Sequence, residues 1–209
     1  MTRDTVPEVF IIESLRAEDV AQKRKEGDLI ARILRMGGRK PIYKYVATRN
    51  EFGEALQIFV NKKYRYLHIS SHGGKELFEF QFGEMAIGEF QHFVQGKLGE
   101  KRVFVSACEV VNHKNHELAN AVLRNSGCYS LVGSADPIDF DAAAIFWSNF
   151  YYLAYHVREE NESMSMKKAL IRNLLKRLTS LYHLKLNYYF NNNSEIELER
   201  FVNGRKKNL

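Results

Sequence analysis

Three kinds of reactive side chain follow short apolar runs in this sequence. The imidazole of His72 comes just after YRYLHISS and is followed by Gly73 and Gly74. The thiol of Cys108 follows RVFVSA, with Glu109 next to it, and Asp136, Asp139 and Asp141 lie beyond CYSLVGS. A thiolate is a strong nucleophile, and a nearby imidazole can help form it and later protonate a leaving group. Glycines beside the histidine allow close backbone approach, and amide N–H groups aimed at a developing oxyanion stabilise it. His72 and Cys108 therefore suit acyl transfer through a covalent intermediate. A plainer reading is also open: cysteine is commonly buried and inert, and His72 would then be a turn residue. The carboxylates divide in the same way. One could receive an Arg or Lys side chain in a charge-assisted contact, and one could cap the next helix. Asp141 is assigned to the cap.

For these groups to meet, the runs that carry them must be neighbours in one sheet. Apolar or alternating runs predict strands over 8–12, 41–47, 64–70, 102–107, 128–133 and 184–190. Helical spacing predicts helices over 17–36, which ends at Gly37-Gly38, and over 50–63, 116–125, 141–156 and 164–183. Residues 76–82 alternate as a small antiparallel hairpin. Strand–helix alternation of this kind predicts an α/β fold, with a mostly parallel central sheet covered by helices on both faces. In open sheets of that kind, sites form beyond the carboxyl ends of the strands. The imidazole, the thiol and the carboxylates all fall there. Cys128 and the aromatic series Trp147, Phe150, Tyr151 and Tyr155 read as core, and 205–208 as a frayed charged end.

Composition bounds the alternatives. The chain has 209 residues, 45% of them apolar and 27% charged, which excludes wholesale disorder and suits one domain over 1–209. No apolar run is long enough to span a membrane. The absence of an export signal, with only two cysteines, points to a reducing cytoplasm rather than a disulfide framework. No cofactor is called for. No metal is expected either: His68 and His72 lie at a strand end, and with His113 and His116 their spacing matches no compact zinc module. The net charge of +6 permits an acidic partner without implying one. The helix over 164–183 carries Lys167, Lys168, Arg172, Lys176 and Arg177 with no acidic residue. Such a helix can engage nucleic acid or an acidic partner. Base-stacking aromatics are not interleaved with these charges, which disfavours nucleic acid and suits a packing helix with a solvated basic face.

Four blocks resemble the caspase-like cysteine peptidases of clan CD, and among them the CHAT domains best. They are LHISSHGG (67–74), VFVSACE (103–109), NSGCYSLVGSADPIDFDAAAIFWSNFYYLAY (125–155) and SMSMKKAL (163–170), in the family's order. The resemblance implies a three-layer α/β sandwich with His72 as the catalytic histidine and Cys108 as the nucleophile. It implies an oxyanion hole from the amides of Gly73 and Cys108, and a structural role for His68. Ser106 would line the pocket for the P1 side chain, and Asp136 would face a basic P1 group. The implied activity is regulated cysteine endopeptidase action on a protein substrate, under a separate regulatory or activating protein. Two positions depart from the family. Val110-Val111-Asn112 stands where Thr-Gly or Arg-Gly is frequent after the nucleophile, and Ala135 replaces a usual tryptophan. The alternative is a catalytically inactive caspase-like binding module that uses the basic helix.

Overall fold

The computed structural model describes residues 5–112, 114, 116–124, 126–156, 166–192 and 195–207. In chain order the elements are β1 (Val6–Glu13), α1 (Ala17–Ala21), α2 (Glu26–Met36), β2 (Ile42–Tyr45), α3 (Arg49–Asn61), β3 (Tyr64–Ser70) and β4 (His72–Gly74). Next come β5 (Leu77–Phe80), β6 (Gly83–Ala86), α4 (Ile87–Val94), β7 (Arg102–Ser106), α5 (Glu117–Leu123) and β8 (Ser130–Ser134). The chain continues with α6 (Phe140–His156), α7 (Lys168–Leu181), β9 (Lys185–Asn192), β10 (Glu195–Val202) and β11 (Arg205–Lys207).

Eight strands form the central sheet in the order β11-β10-β9-β8-β7-β3-β1-β2. The pairs among β2, β1, β3, β7 and β8 are parallel, and β9, β10 and β11 add on antiparallel. The middle strands are apolar on both faces because both faces are covered. Phe10, Leu67, Val103 and Leu131 point to one side, against Phe52 and Phe59 of α3, Phe90 of α4 and Val122 of α5. Val9, Tyr66, Phe104 and Val132 point to the other, against Leu34 of α2, Phe146, Trp147 and Phe150 of α6, and Leu174 of α7. Burying each such side chain contributes about 1.5–3 kcal/mol. The expected three-layer α/β architecture is present, with Cys128 and Trp147 in the core. Helix α3 begins with a capping box, in which Thr48 accepts from the Glu51 amide and the Glu51 carboxylate accepts from the Thr48 amide.

Four local expectations are corrected. The helix expected over 17–36 is two helices, separated by a turn in which Lys23 has φ +60°. Between Glu18 and Asp28 only the adjacent Val20 and Ala21 carry apolar side chains, so no amphipathic stripe holds those residues as one helix. His72 does not sit in a loop; it opens β4, which with β5 and β6 makes a separate three-stranded antiparallel sheet. Asp141 lies inside the first turn of α6 instead of before it, so Asp139 precedes the helix and its carbonyl accepts from the Ala143 amide. Of the end expected to fray over 205–208, residue 208 lies outside the described residues and the rest forms a strand. Arg205–Lys207 pairs with β10 through a turn in which Asn203 has φ +48° and Gly204 φ +77°. Asn-Gly tolerates those angles, and such two-residue turns match strand twist. The basic helix is described as α7 from Lys168; residues 164 and 165 lie outside the described residues. Two of its charges are used internally. Lys168 Nζ lies 3.3 Å from the centre of the Phe190 ring, and Arg172 pairs with Glu199.

Candidate active site

Strands β3 and β7 are adjacent and parallel, with their last residues, Ser70 and Ser106, opposite each other. The Ser71 amide donates to the Ser106 carbonyl at 3.0 Å. His72 and Cys108 each follow two residues after those serines, so both leave the sheet at one edge. Gly73 packs tightly between them. A Cβ there would lie 2.3 Å from Val110 Cγ2, 3.0 Å from the Cys108 carbonyl oxygen and 3.1 Å from Ala107 Cβ. Only glycine fits, and its small size lets the backbone after His72 lie against the backbone of Cys108.

His72 is half-buried, and its ring meets the Phe140 ring edge-on at 5.2 Å between centres. His72 Nε2 is 2.7 Å from Asp19 Oδ2. Asp19 is buried and also pairs with Arg24 at 3.4 Å. A carboxylate on Nε2–H fixes that tautomer and leaves Nδ1 to take or give a proton. The Cys108 thiol is partly exposed, and the Ile138 amide approaches its Sγ at 3.5 Å. Glu109, next in the chain, has φ +57°, a left-handed conformation uncommon outside glycine. The loop that follows is pinned on three sides. Asn112 Nδ2 donates to the Lys75 carbonyl at 2.8 Å, Asn187 Nδ2 to the Val111 carbonyl at 2.8 Å, and Tyr189 OH to the Asn112 carbonyl at 2.9 Å. The Val110-Val111-Asn112 segment, where the sequence departs from the family pattern, is thus held by side-chain bonds from Asn112, Asn187 and Tyr189. The other cysteine contrasts with Cys108: Cys128 is fully buried, and burial pushes its thiol up to about 12, which makes it inert.

The two residues expected in the P1 pocket have other partners. The buried Ser106 hydroxyl donates to Glu26 Oε2 at 2.8 Å. Asp136 is held by Lys185 at 3.1 Å and Arg200 at 3.7 Å, so two cations brought in by the antiparallel strands already balance its charge. The open groove lies elsewhere, between the α1–α2 turn, α2 and the start of α6. It has a volume of about 1010 Å³, and its walls include Lys23, Asp28, Arg32, Asp139, Phe140 and Asp141. It meets the site through Phe140, whose ring touches His72. His68 is fully buried, with Nδ1 3.0 Å from Tyr151 OH and Nε2 3.7 Å from Glu26 Oε1. His68 and His72 thus face different partners. Among the described residues no group of three or more His, Cys, Asp or Glu side chains converges to hold a metal ion, and His113 lies outside those residues.

Asp19 and Glu26 are site residues that the pattern of apolar runs did not reveal. The signal lay in the stretch AEDVAQKRKEGD, too polar to continue as one packed helix. A break there turns Asp19 toward His72 and Glu26 toward the strand ends.

Comparison with solved structures bears on the fold. The chain is similar to the complex of the pro- and mature domains of RgpB from Porphyromonas gingivalis, with TM-score 0.58 and 13% identity over 85% of this chain and 44% of that one. It is also similar to the Arg-specific cysteine proteinase gingipain R (RgpB), with TM-score 0.54 and 13% identity over 85% of this chain and 43% of that one. The chain shares the caspase-like α/β fold of these structures. It spans less than half the length of either structure. No protein-family model and no curated protein matches it. No helix among the described residues is long and apolar enough to cross a membrane.

Proposed function

We propose that this chain is a cysteine endopeptidase domain, with Cys108 as nucleophile and His72 as its acid–base partner. The observation that carries the reading is the 2.7 Å contact between His72 Nε2 and buried Asp19, at the sheet edge where Cys108 emerges. In this reading the Cys108 thiolate attacks the scissile carbonyl carbon. The carbonyl π electrons move to oxygen, and the amides of Gly73 and Cys108 receive that oxyanion. His72 Nδ1–H protonates the departing amine as the C–N bond breaks, leaving a thioester on Cys108. Neutral Nδ1 then removes a proton from water, the resulting hydroxide adds to the thioester carbon, the C–S bond breaks to release the Cys108 thiolate, and the acid product leaves with the thiolate and Nδ1–H restored. Asp19 acts through His72 by fixing its tautomer and orientation.

A basic P1 residue is the preference that best suits the groove. Asp139 and Asp141 supply carboxylates there, whereas Asp28 is paired with Arg32 at 2.7 Å and Asp136 with Lys185 and Arg200. The Arg specificity of gingipain R adds support by fold analogy. The block pattern around His72 and Cys108 further suggests the CHAT branch and an effector role on one protein substrate, under a separate activating protein. The linker-free alternation of strands and helices suits a single domain over 1–209, and the use of only two cysteines suits the cytoplasm.

The test uses fluorogenic tetrapeptides varied at P1. Cleavage after Arg or Lys is expected from the wild-type chain and is abolished in Cys108→Ala. Asp19→Asn lowers kcat by about 100-fold and alters its pH profile. Cleavage retained by Cys108→Ala sinks the assignment, and preference for P1 Asp or Leu sinks the specificity.

A further inference from the structure

The last residues of β1, β3 and β7 are Glu13, Ser70 and Ser106, and they stand opposite one another in register. A polar row therefore crosses the sheet directly beneath the site. Glu26, the first residue of α2, reaches over this row and is only 4% exposed. Its Oε2 accepts from Ser70 Oγ at 3.0 Å and from Ser106 Oγ at 2.8 Å. One carboxylate oxygen thus bridges the two strands that deliver His72 and Cys108. Ser71 and Ala107 are the only residues between each bridged serine and its reactive residue, so little slack separates bridge from site.

The bridge is itself anchored. Glu13 Oε1 accepts from the Gly27 amide at 2.7 Å, which pins the first turn of α2 to the end of β1. Gly27 has no room for a side chain, since a Cβ would lie 2.8 Å from Ile11 Cγ2 and 3.2 Å from Glu13 Cβ. On the far side, Glu26 Oε1 and His68 Nε2 are 3.7 Å apart and buried, and neither makes a hydrogen bond. Burying a carboxylate is costly, and apolar side chains of similar size fill such space more cheaply. A carboxylate retained here points to a need for geometry.

We propose that Glu26 is a positioning residue that sets the spacing of His72 and Cys108 by clamping Ser70 and Ser106. This rests on the peptidase reading of the same edge. Glu26 also forms part of the groove wall, so its test must separate positioning from substrate contact.

The experiment compares wild type, Glu26→Ala, Glu26→Gln and Ser106→Ala. It measures kcat and KM on P1-Arg and P1-Lys peptides, and the pH profile of Cys108 alkylation by iodoacetamide, with buried Cys128 as internal reference. Thermal unfolding and circular dichroism report folding. In Glu26→Ala, kcat falls about 100-fold, as an error of about 1 Å at reacting groups would produce. KM changes little, and the alkylation profile moves toward that of an ordinary thiol. Glu26→Gln recovers most of the loss, because its amide oxygen can accept both hydroxyls. Ser106→Ala lowers kcat by about tenfold, the worth of one hydrogen bond. If Glu26→Ala does not fold, the Gln and Ser106 variants decide the matter by the same criteria. A folded Glu26→Ala or Ser106→Ala with unchanged kcat and alkylation profile overturns the proposal. So does a loss confined to KM, which would make Glu26 a substrate contact. A wild-type chain that neither cleaves any peptide nor alkylates at Cys108 faster than an ordinary thiol overturns the peptidase reading, and the clamp with it.

Discussion

The sheet edge below the dyad and the corner between α7 and β10 each bury a carboxylate, and they accommodate it by opposite means. At the edge, Glu13 is fully buried and its donors are neutral: the Gly27 amide and the Tyr43 hydroxyl, each at 2.7 Å. Burial pushes its carboxyl up to about 7, the Glu26 charge adds to the rise, and the two hydrogen bonds offset part of it. At the corner, Glu199 is 3% exposed, but its donors are cations, Arg172 and Lys206. Burial pushes Glu199 up as well, yet these two contacts bring it below the usual carboxylate range. Glu13 lies deeper in the fold than Glu199, and depth together with the partner's charge gives the two carboxyls opposite shifts. The corner is a stabilising pair, whereas the edge carries a carboxyl that favours its neutral form beneath the groups proposed to react.

The largest expected effect breaks this comparison at the edge. A carboxyl raised from 4.5 to about 7 binds a proton in the folded chain that it has lost in the unfolded one. Its contribution is fully present below pH 4.5 and is lost as pH rises through 7. The loss is on the order of 3 kcal/mol. Denaturant unfolding from pH 4 to 8 should show this decline in the wild type and a flatter profile in Glu13→Gln. An identical slope in both would remove Glu13 as its source.

Next comes the corner. Arg172→Leu leaves Glu199 buried with Lys206 alone and should destabilise the fold by about 2 kcal/mol near pH 7. Here the sign is reversed. Glu199 is lowered in the folded state, so its contribution is present above the ordinary value and is lost as pH falls through the folded one. The deficit of Arg172→Leu should therefore shrink on acidification, as read by the same unfolding series. Constancy with pH would argue that lost packing, not charge, is responsible.

Two smaller changes sharpen the contrast. Tyr43→Phe removes a bond that favours ionised Glu13, so the midpoint of the pH-dependent loss should move upward, with about 1 kcal/mol at stake. A midpoint moving downward would contradict the hydrogen-bond direction. Lys206→Ala removes a cation that is about half exposed and should cost under about 1 kcal/mol. A loss equal to that of Arg172→Leu would mean the two cations are not ranked by geometry.

Much of the fold was legible because its signals are local. The apolar runs that became β3, β7 and β8, and the helical spacing of α3 and α6, follow from residues a few positions apart. His72 and Cys108 could be placed on one edge for the same reason, since strands that alternate with helices run parallel and end together. The three-strand end after β8 was only partly legible. Its Asn203-Gly204 turn was a usable signal, but the charged surroundings obscured it, and Glu199 reads as surface until Arg172 and Lys206 reach it.

The sequence by itself therefore determined the layered α/β architecture and the convergence of an imidazole and a thiol on one sheet edge. Tertiary structure alone decided what those groups touch. Asp19 meets His72 from 53 positions away, and Ser106 meets Glu26 from 80. Asp136 pairs with Lys185 and Arg200, from strands that join the sheet late in the chain. Apolar periodicity records which face of an element is buried, because burial acts on every residue along it. Pairing of a few polar atoms depends on how distant elements are stacked, and no local pattern encodes it.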